Sequence, residues 1–77
     1  MKSITPREID VLRQIARGYT YAGAAERLGM SPHTVASHIK SAYLKLDVHS
    51  AAAAVVRAIE LRLIAIAGSR RAIRIRT

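Results

Sequence analysis

The sequence predicts an all-α fold, a four-helix domain containing a helix-turn-helix, and three observations carry that expectation. Apolar residues recur at spacings of three and four along most of the chain, the period of a helix with one buried stripe. Thr5, Thr20, Ser31 and Ser50 each stand just before such a run, where a hydroxyl can accept from a free backbone N–H of the first turn. Between the second and third runs, Ala25, Gly29 and Val35 are spaced as a helix-turn-helix requires. Ala25 lets the following helix cross closely, Gly29 takes the positive φ of the turn, and Val35 reaches back into a shared core.

The first helix is announced by Thr5-Pro6-Arg7-Glu8, a reciprocal capping signature with proline where no N–H is needed, and Ile4 and Ile9 can close over it as a staple. Ile9, Leu12, Ile15 and Ala16 give its buried stripe, Arg7, Asp10, Arg13, Gln14 and Arg17 its outer face, and Gly18 its end. The second helix, Tyr21 to Leu28, is short and carries Gly23, at a cost of roughly 1 kcal/mol relative to alanine. Packing through Ala24, Ala25 and Leu28 must hold it, with Tyr19 and Tyr21 half-buried beside it.

Ser31 caps the third helix, Pro32 opens it, and Val35, Ile39, Ala42 and Leu46 form its buried stripe. That phase turns His33, Ser37, Lys40, Ser41 and Lys45 away from the core, with Ala36 toward one edge. Short side chains let a helix sit deep in the major groove of double-stranded DNA, and the lysines suit phosphates or the O6 and N7 acceptors of guanine. Asp47-Val48-His49-Ser50 breaks the chain, and the last helix is expected to run through AAAAVVRAIELRLIAIA to Gly68. On its wheel Ala52, Val55, Val56, Ile59 and Leu63 face the core. A second stripe, Ala51, Ala54, Ala58, Leu61 and Ala65, is more than a monomer of this size buries, which suggests a homodimer contact.

Charge and composition narrow the function classes. The net charge of +8 points to a polyanionic partner, and Arg70, Arg71, Arg74 and Arg76 supply half of it from the last eight residues. The chain divides into a helix-turn-helix domain over 4–67 and a basic tail over 68–77. Ile73 and Ile75 alternate with arginines in the tail, which leaves three readings open: an arm along DNA, a strand pairing with a partner chain, or a disordered end. Without cysteine there is no disulfide or thiolate chemistry, and His33, His38 and His49 lack the neighbours of a metal site, so no cofactor is expected. No apolar run reaches membrane-spanning length and no signal region precedes the first helix, so the expected location is the cytoplasm. Ser, His and Asp occur without a triad signature and no glycine-rich phosphate loop is present, so an enzyme is not expected.

The segments ITPREIDVLRQIARGYT and AAERLGMSPHTVASHIKSAYLKLDV together resemble the DNA-binding domain of the LuxR type, also called the GerE or FixJ/NarL output domain. The resemblance runs from Ile4 to about Leu63, and SPHTVASHI followed by YLKLDV is its most specific part. It implies a bacterial transcription regulator whose third helix enters the major groove and whose fourth supports dimerisation. By position it assigns Thr34 and His38 to phosphate contacts, Lys40 to bases or nearby phosphates, Ser37 to the groove, and Thr20 to the backbone. Two departures stand out. Ala36 occupies a position often held by lysine, and Tyr21-Ala22-Gly23-Ala24 replaces polar residues at the start of the second helix. The family domain usually follows a receiver or ligand-binding domain, so two readings stand, an excised output domain or a small stand-alone regulator; the capped helix right after Met1-Lys2-Ser3 leaves no room for a linker within this sequence. Two function classes therefore stand: a dimeric DNA-binding regulator, and an interaction protein that pairs through its fourth helix with a larger LuxR-type relative and blocks it. Attachment of the tail to an anionic membrane is a weaker third.

Overall fold

In the computed structural model, which describes residues 3–65, the chain folds as four helices: α1 (Pro6–Ala16), α2 (Tyr21–Leu28), α3 (Pro32–Leu46) and α4 (Ala51–Glu60). The tail lies outside the described residues. Among those residues there is no strand, and no helix is long and apolar enough to cross a membrane. α1 and α3 pack on each other, and each also packs on both α2 and α4, which do not touch one another.

Each helix opens on a hydroxyl. Thr5, Thr20, Ser31 and Ser50 accept from the N–H groups of Glu8, Gly23, Thr34 and Ala53 at 3.2, 3.0, 3.1 and 3.1 Å. Each closes on a left-handed residue: Gly18, Gly29, Asp47 and Arg62, at φ 92°, 69°, 58° and 62°. The N–H of the next residue then reaches back over the last turn, as from Met30 to the Ala25 carbonyl (3.0 Å) and from Leu63 to Ala58 (2.8 Å). The α2–α3 turn is built this way around Gly29, which holds α3 across Ala24 and Ala25, both buried.

The stripe Val35, Ile39, Ala42 and Leu46 of α3 is buried as its spacing predicts, against Val11 and Leu12 of α1. α1 departs in more than one place: Val11, outside the expected stripe, is fully buried, while Ile9, Ile15 and Ala16 are only half-buried. Gln14, expected outside, is buried, because its side-chain oxygen accepts from Arg27 Nε of α2 at 3.1 Å and is thereby satisfied. Arg27 also lies over the Tyr19 ring, 4.5 Å from its centroid, and Tyr19 and Tyr21, expected half-buried, are both exposed.

The larger correction is α4. Its core-facing residues are Ala54 and Ala58, both fully buried, whereas Ala52, Val56 and Ile59 are exposed. The expected stripes are thus partly exchanged, since Val55 and Leu63 of the first still pack half-buried against the core. Ala54 and Ala58 do not form a surface patch, although Ala51, Leu61 and Ala65 of the same set are exposed. Only side chains as small as alanine let α4 sit tightly on α1 and α3, so the bulkier residues turn outward. The helix also ends at Glu60, not at Gly68. A straight continuation would place Ile64 in line with Arg57 and Glu60, on solvent; the turn at Arg62 carries it back into the core, where it is 5% exposed.

Candidate nucleic-acid interface

α3 presents three parallel lines, each with spacing four, three and four, and a narrower remaining flank. Val35, Ile39, Ala42 and Leu46 are buried; Thr34, His38, Ser41 and Lys45 are half-buried; His33, Ser37, Lys40 and Leu44 are exposed. Ala36 and Tyr43 are half-buried on the remaining flank. The outermost line therefore contains His33, Ser37 and Lys40, and adds Leu44, which is 81% exposed. Burial raises the Tyr43 phenol above its ordinary pKa, with Tyr21 adding to the effect, so the hydroxyl beside this face stays uncharged.

The structure does not leave Lys45 on the outer face. Its ammonium donates to both carboxylate oxygens of Glu8, at 2.9 and 3.0 Å, with the two side chains 15% and 4% exposed. Burial pushes the Glu8 carboxyl up. The Ser41 hydroxyl, the Thr5 backbone N–H and the Lys45 ammonium pull it down further, from 4.5 to about 2. The Thr5 N–H bond, 2.8 Å to Oε1, also completes the capping box of α1, so one carboxylate both starts α1 and fixes the far half of α3. Lys45 is consumed by this internal contact, and Lys40 is the lysine of α3 whose charge faces solvent.

The remaining expected contacts flank the outer line. The Thr34 hydroxyl lies 2.9 Å from that of Ser31 at the opening of α3. Thr20 is exposed at the opening of α2, where backbone N–H groups and the helix dipole favour an anion. The two helix openings thus offer backbone N–H groups that suit phosphate, and the outer line offers polar groups of the kind that suit base edges.

The model of the bacterial regulatory proteins of the luxR family matches residues 2–58. The chain belongs to that family. This LuxR-family domain is 46% identical over 56 residues to the nitrate/nitrite response regulator protein homolog of Haemophilus influenzae, covering 73% of this chain and 27% of that protein. It is 40% identical over 60 residues to the transcriptional activator protein CarR of Pectobacterium carotovorum, covering 78% and 25%. Among solved structures, the response regulator ChrA of a heme-sensing two-component system superposes with a TM-score of 0.79 at 33% identity, covering 83% of this chain and 32% of that one. The chain thus spans about a quarter of the length of these curated relatives. What they share with it is a helix-turn-helix DNA-binding domain of transcription regulators, a family of regulators rather than of enzymes.

Proposed function

We propose that this LuxR-family domain reads double-stranded DNA with α3 lying in the major groove, as a dimer on a two-fold related site. The observation that carries the reading is the exposed line His33, Ser37 and Lys40, held rigidly outward by the buried line behind it and by the Glu8–Lys45 pair on its flank. Lys40 suits guanine O6 and N7 or a nearby phosphate, and Ser37 an adjacent base edge. Thr20, Thr34 and His38 grip phosphates on either side. Ala36 adds no charge, and so the arginines of the tail supply sequence-independent affinity.

For the dimer, the exposed Ala52, Val56 and Ile59 of α4 offer the apolar face, in place of the alanines that the core consumes. The same face supports a second reading, pairing with a larger LuxR-type regulator that this chain then blocks. Selection of the purified chain on a random duplex library, across a salt series and with sequencing of the retained DNA, separates the two. A two-fold symmetric motif is expected at the higher salt. Binding that fades with salt and leaves no motif would transfer the weight to the blocking role.

A further inference from the structure

We infer that Leu44 is a specificity-determining residue, whose side chain takes the 5-methyl group of a thymine at the end of the half-site reached by the C-terminal half of α3. The inference rests on the DNA-reading role of α3 proposed above, and three features of the structure lead to it. Leu44 belongs to the same outer line as His33, Ser37 and Lys40, so whatever those residues face, it faces too. At 81% exposed it is the most exposed of the large hydrophobic residues among the described residues. Beside it lies a hollow of about 380 Å³ lined by Lys40, Tyr43, Leu44, Asp47, Val48 and His49. Lys40 belongs to both the line and the hollow, so the apolar surface continues the reading face.

The chemistry of the groove selects the occupant. Leucine has no donor or acceptor, and the thymine methyl is the apolar group that a base pair presents in the major groove. The lining is mostly apolar and includes the Asp47 carboxylate, which offsets the charge of Lys40, so the hollow suits an apolar group better than a phosphate. Spacing gives the register. Leu44 follows Lys40 by about 6 Å along the helix axis, so a helix lying along the groove puts the methyl one to two base pairs beyond the base pair that Lys40 contacts. The sequence gives no sign of such a role, because Leu44 is apolar on the wheel position of the basic face.

The test uses the duplex motif that the whole chain selects, with each thymine in turn replaced in one half-site by deoxyuridine, which lacks only the methyl. Dissociation constants are measured for the native protein and for Leu44→Ala, with circular dichroism and a thermal melt confirming that the variant keeps its fold. At one thymine, one to two base pairs beyond the position whose identity matters less in Lys40→Ala, loss of the methyl should weaken native binding about fourfold. Leu44→Ala should bind both duplexes equally. Absence of thymine there, or equal sensitivity of the two proteins to its methyl, would overturn the inference while leaving α3 as the reading helix. A native protein that selects no motif would overturn both.

Discussion

α3 and α4 are both apolar on the side that meets α1, yet they are fixed by different means. α3 carries Val35, Ile39 and Leu46 on one side and His33, Ser37 and Lys40 on the other, and polarity alone sets its rotation. α4 is apolar nearly all round, and shape sets its rotation: Ala54 and Ala58 enter the core, leaving Val56 and Ile59 outside. Polarity contrast is a local property that a wheel displays. The room available between two other helices is a property of the assembled core, and it can exclude the more hydrophobic residue in favour of the smaller one.

The sharpest way to break α3's side of this contrast is Lys45→Met, which leaves the Glu8 carboxylate buried without its cation. Loss of about 3 kcal/mol is expected in urea unfolding, most of what a domain of this size possesses. Adding Glu8→Gln, which keeps the cap of α1, should recover much of it. The same pair predicts a pH dependence. Glu8 is held below its ordinary 4.5, at about 2, so its contribution is complete above about pH 5 and is lost as the pH falls toward 2. Thermal melts from pH 7 to 2 should show that loss in the native protein and a shallower one in Glu8→Gln.

α4's side is broken by Ala58→Leu. If shape fixes the helix, the added bulk costs about 2 kcal/mol in the same unfolding measurement, although the change is toward a more hydrophobic residue. Lys40→Ala, by contrast, should leave stability within about 0.5 kcal/mol and weaken binding to the selected duplex about tenfold, as measured by fluorescence anisotropy. The smallest effect on the monomer is expected from Val56→Ala, again within about 0.5 kcal/mol. Sedimentation equilibrium on Val56→Ala should nevertheless show weaker self-association, and unchanged association would remove α4's outer face from the dimer.

The legible parts of the fold are those that local rules decide. The hydroxyl before each run marks all four helix starts, Gly18 and Gly29 mark two ends, and the α3 stripe follows from its spacing. The end of α4 was illegible, because a left-handed arginine at position 62 carries no sequence mark and the advantage of the turn lies in burying Ile64 against distant elements. Lys45 and Gln14 were misjudged for a related reason. Each is polar on a helix edge, and each finds its partner, Glu8 or Arg27, on another helix. The exposed part of the candidate site, His33, Ser37 and Lys40, was legible because exposure there is the complement of a clear buried stripe. Leu44 was not, since a leucine on an outer line contradicts the pattern that located the line.

The central claim is that α3's outer line, and no other surface of the domain, faces the DNA bases. Backbone amide shifts of the ¹⁵N-labelled chain, followed by NMR as its selected duplex is added, test it most directly. The account predicts the largest changes at His33, Ser37, Lys40 and Leu44, smaller ones at Thr20 and Thr34 where it assigns phosphates, and little at Arg7 and Arg17, exposed within and just after α1. Changes centred on α1, with α3 left unmoved, would contradict it.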